Sequence, residues 1–543
     1  MSLQAAVVLC SILAIASIGL LAGRGVRTAA DYFVSSRKAP TLLIAGTLFA
    51  SMLSTNGFMG DAAWTYGGAL VNAVTLNALC GAGYVLGALF FGRYLRRAEP
   101  LTMAEYFGRR FDSPAVRRLA AVVTALSLTA YLLAVTTGTG ILISELLEVK
   151  VSTGYLLAWL CFTSFTFYGG SFGVVITDTV MFFLFIGATV LAGPFIFEKA
   201  GGLGSLMENL LQNPSAPDSL FAYHGNFEAL GAKSGDKLGA VMRGVTYGLI
   251  WLVAVGVSPW QAGRNLMAKS EHVALRSSAV ACVCTTVFLT LLYLMAVSVI
   301  AVAPDLKDPT QVIIYAAYNM APKLLGSLVL AGIMAAGLSS ASTFLSIVGL
   351  TIANDVLKLD FESDEERLWK TRVVMLAVSA ASLALSYMNL GSIRIISWFA
   401  STLIASSWAV IAFGSVWSRS LTARGALWSM MAGFSGFLAA KIAHSSGLWP
   451  VFEGFLDPFF VGLGLSLLFA FLGSRGEEPG WAEISVLARM RRVPPRERPP
   501  EEYQKTVAYA NALIVIGLAV TTVLIAFWAL PYNELAKAAA LAP

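Results

Sequence analysis

Charge is what this chain has least of. Only 13% of its 543 residues are Asp, Glu, Lys or Arg, while 57% are hydrophobic. A water-soluble domain carries about 25% charged residues, so too few are present here to cover a solvated surface. Histidine is scarcer still: His224, His272 and His444 lie far apart, in loops or at helix ends. The five cysteines (Cys10, Cys80, Cys161, Cys282, Cys284) all fall in apolar runs. That usage suits small packing residues and argues against a disulfide framework or a Cys/His metal cluster. No HExxH, GxSxG or P-loop pattern occurs. Peptide hydrolysis and ATP hydrolysis therefore lack their residues, and the chain does not read as an enzyme.

Long apolar runs are abundant instead. Fourteen can be marked, at 5–23, 40–63, 66–95, 117–147, 151–169, 172–197, 238–262, 273–303, 323–357, 371–390, 393–416, 424–446, 452–473 and 505–530. Runs near 20 residues match the hydrocarbon thickness, and only helices or closed barrels satisfy their backbone there. The expected class is an all-α polytopic membrane protein. Alternate loops, starting with Arg24–Lys38, hold 27 of the 37 basic residues, which predicts both termini outside an inner (plasma) membrane. The net charge of +6 follows from that asymmetry and does not imply a nucleic-acid partner. The amino-terminal run lacks a basic flank and a clear cleavage site, so it is expected to stay as a first helix.

Two runs are interrupted at mid-span. The second contains FASMLSTNGFMG (49–60), with Ser54, Thr55, Asn56 and Gly57 in succession. The seventh contains WLVAVGVSPWQAG (251–263), broken by Gly256, Ser258 and Pro259. Each opens a block of five spans. Interrupted helices at matching places in two halves are the sequence mark of a transporter's midplane site. Because five is odd, the second block starts on the opposite side, and the two are inverted. The expected divisions are an extra helix (1–30), a first repeat (31–197), an extracellular loop (198–237) and a second repeat (238–417). Two accessory helices (418–473), a cytoplasmic linker (474–504) and a last helix with tail (505–543) follow.

The ninth run carries AGIMAAGLSSASTFLS (331–346). Ser339, Ser342, Thr343 and Ser346 share one helix face, with Ser340 on its shoulder. Hydroxyls in a membrane helix have three uses: back-bonds to their own carbonyls, contacts with another helix, or a shell for a dehydrated cation.

DYFVSSRK (31–38), AEYFGRRF (104–111), FYGGSFGVVITDTVM (167–181), SSASTFLSIVGLTIANDVLK (339–358) and WSRSLTARGALWSMMAGFSG (417–436), in this order, resemble the sodium:solute symporter family. Its carriers have the five-plus-five inverted-repeat fold of the sodium-coupled leucine transporter. The resemblance implies Na+ as the coupling ion, held by the carbonyls of Ala50, Leu53 and Ala336 and the hydroxyls of Ser339 and Ser340. It further implies a second sodium, or an exit path, at Asp178, Ser339, Ser342 and Thr343. Asn77, Tyr131 and Trp251 fall at or near family positions that contact substrate, beside Ser54, Thr55 and Asn56 at the break.

The implied activity is sodium-driven import of a small organic solute by alternating access, with the lipid bilayer and the solute as partners and a single chain sufficing. Ala254-Val255 stands where sugar carriers place an aromatic gate, and Trp260 where several relatives have His. Arg243 and Arg394, at the outer ends of their spans, form a vestibule suited to a carboxylate, or else clamp Asp61. A carboxylate is thus the leading expectation, with amino-acid and sugar substrates, a proton-coupled carrier and a ligand sensor as alternatives. Proton coupling would need Asp178 but no hydroxyl shell.

Overall fold

Backbone buried in hydrocarbon must satisfy its own hydrogen bonds, and every regular element among the described residues is helical. The computed structural model describes residues 3–23, 28–217, 219–227, 234–357, 363–388, 390–448 and 456–541. Fourteen helical units matter here: α1 (Leu3–Gly23), α2 (Thr41–Met52), α3 (Asn56–Tyr66), α4 (Leu70–Ala98), α5 (Pro114–Leu147), α6 (Val151–Lys199), α7 (Lys237–Val257), α8 (Glu271–Ile300), α9 (Lys323–Val356), α10 (Asp364–Ser386), α11 (Ile393–Trp417), α12 (Ala423–Ser445), α13 (Pro458–Ser474) and α14 (Pro500–Leu535).

Ten helices among the described residues are long and apolar enough to span a membrane, and α2 with α3 forms an eleventh, bent by 51°. Three shorter apolar stretches, Leu3–Gly19, Val151–Ser164 and Pro458–Ser474, lie where the sequence predicts further spans. The helix α6 has 49 residues, about 74 Å at 1.5 Å per residue. It thus holds two apolar stretches, Val151–Ser164 and Gly173–Lys199.

Helix starts are written locally. Ser113, Ser270, Ser363, Ser392 and Thr422 each cap a following helix through a side-chain oxygen. Small residues then let helices meet. A Cβ on Gly87 of α4 would lie 2.4 Å from Gly256 Cα of α7, and one on Gly83 2.6 Å from Leu252 O. This small-xxx-small stripe substitutes close backbone contact for the hydrophobic drive that lipid removes.

The helix α9 is the centre of the bundle, with 83% of its apolar window buried, whereas none of the window in α14 is. That contrast places α14 at the periphery. The segment 474–504, expected as a linker, is folded. Its helix Trp481–Arg491 lies against α4, where Arg97 Nη1 donates to the carbonyls of Met490 and Arg491 at 3.0 and 3.2 Å.

Candidate functional site

The break between α2 and α3 frees carbonyls. Leu53 closes α2 in extended conformation (ψ 94°), and Ser54 N–H donates to Met52 O at 3.0 Å instead of reaching Ala50 O. Asn56 N–H turns to Ser54 Oγ (3.1 Å), and Gly57 N–H to Ser54 O. The amides that a continuous helix would aim at Ala50 O and Leu53 O are thus turned elsewhere. In α7 the chain leaves the helix at Ser258 (ψ 152°) and continues as a short 3-10 turn, Ala262–Met267. The two breaks touch: Gln261 Nε2 donates to Ser51 Oγ at 3.4 Å. Just beyond, Ala39 N–H bonds Met267 O and Lys269 N–H bonds Ala39 O.

The hydroxyl row of α9 divides between back-bonds and contacts with other helices, and leaves one hydroxyl over. Ser342 and Ser346 bond back to Ser339 O and Ser342 O at 2.9 and 2.7 Å. Ser339 Oγ donates to Asp178 Oδ1 at 2.6 Å, and Thr343 Oγ1 accepts from Arg264. Ser340 Oγ is buried with no hydrogen-bond partner. A serine in a helix normally finds a carbonyl one turn back, and Ser340 Oγ does not. Thr55 Oγ1, at the α3 break, and Thr139 Oγ1, on α5, are idle in the same way. Two glycines bring them close: a Cβ on Gly337 would meet Thr139 Oγ1 at 2.2 Å and Thr55 Cγ2 at 3.3 Å, and one on Gly138 would meet Thr55 Oγ1 at 2.5 Å.

Asp178 is fully buried and richly partnered. Thr47 Oγ1 donates to its Oδ2 at 2.5 Å, and Arg264 Nη2 lies 3.4 Å from the same oxygen. Sequence reasoning placed Arg264 in a cytoplasmic loop; the structure buries it at 3% exposure. The Pro259 break turns the chain inward there, and an interrupted helix followed by Arg was the available signal. Thr47, one turn before Ala50, was also missed. Directly below, a cavity of about 50 Å³ is lined by Pro259, Arg264, Thr343 and Ser346.

Tyr131, Trp251, Trp260 and Phe344 form an aromatic box at the α7 break. Ring centroids are 4.6 Å apart for Tyr131–Phe344, 5.6 Å for Tyr131–Trp260 and 6.4 Å for Tyr131–Trp251. Trp260 is fully buried, and its indole Nε1 has no acceptor. Phe344 was not foreseen, although it is adjacent to Thr343 in the hydroxyl stretch.

Two expected substrate residues are engaged by protein. Asn77 Nδ2 donates to Thr286 O (2.8 Å) and Thr290 Oγ1 (3.2 Å) on α8. Asn56 Nδ2 bonds both Asp61 oxygens (3.4 and 3.3 Å), and its Oδ1 accepts from Ser397 on α11. The vestibule pair is split as well. Arg243 Nη1 lies 3.6 Å from Asp457 Oδ2, and Arg394 stacks over Trp64 and Trp398 at 4.9 and 4.5 Å.

Paired broken helices with freed carbonyls, idle hydroxyls and a buried acid define a secondary transporter. The chain belongs to the sodium:solute symporter family, whose model matches residues 32–433. It works as a sodium-coupled symporter of a small organic solute, by alternating access. Among characterised relatives, it is 25% identical over 485 residues to the sodium/proline symporter of Escherichia coli K12 (84% of this chain, 90% of that protein). It is also 25% identical over 465 residues to the sodium/pantothenate symporter of that organism (82% and 90%). In fold it is similar to a Na+-coupled sialic acid symporter in its substrate-bound outward-open state, with TM-score 0.74 at 17% identity over 88% of this chain and 99% of that one. The nucleobase-cation-symport-1 transporter Mhp1 is similar at TM-score 0.56 and 11% identity, over 84% and 98%.

Proposed function

We propose that the solute is a small amino acid, and that one sodium ion binds between the α2 break and α9. This takes the amino-acid alternative in place of the carboxylate first expected from the sequence. The idle indole Nε1 of Trp260 inside the aromatic box carries this reading. Aromatic faces suit an ammonium or secondary amine, while Trp260 N–H, Thr55 and the start of α3 suit a carboxylate. The sodium/proline symporters among the relatives support the same choice over a sugar. Trp251 and Tyr131 are the aromatic contacts, with Ser54 and Thr55 at the break; Asn56 and Asn77 position helices.

The ion site is made of Ala50, Leu53 and Ala336 carbonyls with Ser339 and Ser340 hydroxyls. Neutral oxygens fit a hard cation that must be released every cycle. Sodium bound there pulls α9 and the α2 break together and favours the outward state, to which the solute then adds; coupling needs only that both ligands prefer one state. Asp178, Ser342 and Thr343 then serve as the exit path rather than as a second sodium site, because Arg264 already neutralises Asp178 and the small cavity lies beneath it. An inward charge is worth about 2.3 kcal/mol per 100 mV.

In this reading the chain has fourteen spans, divided as the sequence predicts, with both termini outside an inner membrane and one chain as the working unit. The test is thermal unfolding of the purified protein in sodium and in choline, across amino acids, other carboxylates and sugars. Stabilisation by an amino acid only in sodium, lost in Ser340→Ala, is the expected result. A sugar hit, or a hit indifferent to sodium, overturns it.

A further inference from the structure

The cavity beneath Asp178 takes part of its wall from a loop. Leu101, Thr102 and Met103 line it, together with Leu266 and Met267 beyond the α7 break. These three residues follow Glu99, where α4 ends at φ 53°, and lead into the short helix Met103–Arg110. Thr102 Oγ1 anchors the loop to α9 by donating to Asp355 Oδ2 at 2.7 Å. Arg37 Nη2, ahead of α2, donates to Glu99 O and Pro100 O at 2.8 and 3.2 Å.

A second set of bonds reaches the same loop from the segment 481–506. Arg496 Nη2 donates to Glu99 Oε1 at 2.5 Å, just before the cavity wall, and Arg110 Nη1 donates to Glu483 O at 3.4 Å, just after it. Arg97, near the end of α4, donates to Met490 O and Arg491 O. The segment is also fastened elsewhere. Arg491 Nε and Nη2 donate to Val416 O and Trp417 O at the end of α11, at 2.9 and 3.0 Å. Glu497 meets the first turn of α8: its Oε2 accepts Glu271 N–H at 3.1 Å, and its carbonyl accepts from His272 Nε2 at 3.0 Å. Arg276 of α8 pairs with Glu502 at 2.7 Å.

In the proposed division, α4 and the loop belong to the first repeat, α8 and α11 to the second. Alternating access rocks one block against the other. A strap bonded to both cannot follow both, so its contacts belong to one of the two states. Leu487 and Met490 are buried anchors of the strap, but most of its bonds lie at the rim, where local opening does not require the core to unfold.

We propose that residues 481–506 form a latch on the inner mouth. Docked, it holds Leu101–Met103 against the cavity and favours the state closed to the inside. Undocked, it lets that loop swing and the ion leave. A contact made in only one state shifts the balance by its differential free energy. The latch rests on the exit path proposed above and is independent of which solute is carried.

The experiment uses the full chain with Ser346→Cys, which lines the same cavity, as reporter. A membrane-impermeant maleimide is added to the detergent-purified protein in choline, and peptide mass spectrometry reads the label at that site. Arg491→Gln and Arg496→Gln, each on the reporter background, should label at least threefold faster. Arg489→Gln, exposed on the same helix and outside these bonds, should label like the parent. Thr102→Val, which frees the loop from α9, should also label faster. Unchanged labelling in both latch variants, with faster labelling in Thr102→Val, overturns the latch and keeps the exit path. No labelling in any variant overturns the exit path and the latch with it. A bridge tests the opposite direction without loosening the fold. Glu99→Cys with Arg496→Cys, joined by a short bis-methanethiosulfonate, should cut uptake in proteoliposomes at least fivefold, with recovery on reduction. Full uptake by the bridged protein overturns the latch.

Discussion

Arg264 Nη2 and Asp178 Oδ2 lie 3.4 Å apart, and both side chains are buried at the inner edge of the hydroxyl row. A guanidinium thus stands beside the acid at which the family resemblance implies a second sodium or an exit path. Removing one partner of a buried pair strands the other charge and costs about 3–5 kcal/mol. Arg264→Gln alone should therefore destabilise the protein more than the double variant Arg264→Gln, Asp178→Asn. If Arg264 guards the exit, Asp178→Asn slows turnover and leaves the Hill coefficient for sodium unchanged. Uptake against sodium concentration reads both, and a coefficient falling from two towards one would put a second sodium at Asp178.

Ser339 and Ser340 are neighbours with opposite commitments. Ser339 Oγ is bonded to Asp178 at 2.6 Å, whereas Ser340 Oγ has no protein partner. Truncating a hydroxyl without a partner costs the fold little, within about 0.5 kcal/mol. Ser340→Ala should keep its sodium-free unfolding midpoint yet lose about tenfold in sodium affinity, by analogy with a bond to a charged group at about 1.5–3 kcal/mol. Ser339→Ala should lower both. Sodium titrations of the unfolding midpoint separate the two variants.

The Trp260 indole contributes a face and a free N–H to the aromatic box. Trp260→Phe keeps much of the face and removes the donor. Solute affinity should fall several-fold, because cation–π contacts are worth about 0.5–2 kcal/mol and a hydrogen bond to a carboxylate about as much again. Sodium affinity without solute should not change. A variant that loses both alike would make Trp260 a packing residue. Competition uptake assays in proteoliposomes give the answer.

How much of this was legible follows from what each signal depends on. The α2 and α7 breaks were readable because Ser-Thr-Asn-Gly and Gly-x-Ser-Pro are poor helix formers wherever they fall. The hydroxyl row followed from helical spacing alone. Arg264 was readable only as an Arg that follows an interrupted helix; its burial depends on the 3-10 turn that brings it to Asp178. Asn77, expected near the solute, donates its Nδ2 to α8 and leaves its Oδ1 without a partner, and which partner faces a polar side chain is a property of packing. The folded helix 481–491 was hidden inside a stretch rich in Pro, Glu and Arg, since what holds it is Arg97 donating to it from α4 and its own Arg491 donating to Val416 O.

That segment gives a pH prediction. Glu99, just past the end of α4, takes bonds from Arg96 (2.8 Å) and Arg496 (2.5 Å). Burial alone would raise its pKa, but these two guanidinium bonds outweigh it and hold the carboxyl below its ordinary 4.5. A carboxylate whose folded pKa is lowered adds stability that is complete above the ordinary value and is lost as pH falls through the folded one. The contact between α4 and the segment around Arg496 should therefore loosen below about pH 4.5. Glu99→Gln should loosen it at neutral pH, seen as faster hydrogen exchange across 481–497. Unchanged exchange would make the Glu99 bonds incidental.

Gly337 links packing to transport. A Cβ there would stand 2.2 Å from Thr139 Oγ1 on α5 and 3.3 Å from Thr55 Cγ2 at the break. Thr139 is β-branched and held in a helix, so its rotamer cannot yield freely. Gly337→Ala should push α9 from α5, at a cost of about 1–3 kcal/mol for an overpacked core. Ala336, Ser339 and Ser340 move with that helix and away from the α2 carbonyls, so sodium affinity should fall together with stability. Gly138→Ala presses on Thr55 from the α5 side (2.5 Å) and should do the same. Thr139→Ser, which removes a methyl but keeps the hydroxyl, should partly rescue Gly337→Ala and not Gly138→Ala. Sodium-dependent unfolding of the four variants checks the pattern, and rescue of both glycine variants would mean that the helices yield as a body rather than at this contact.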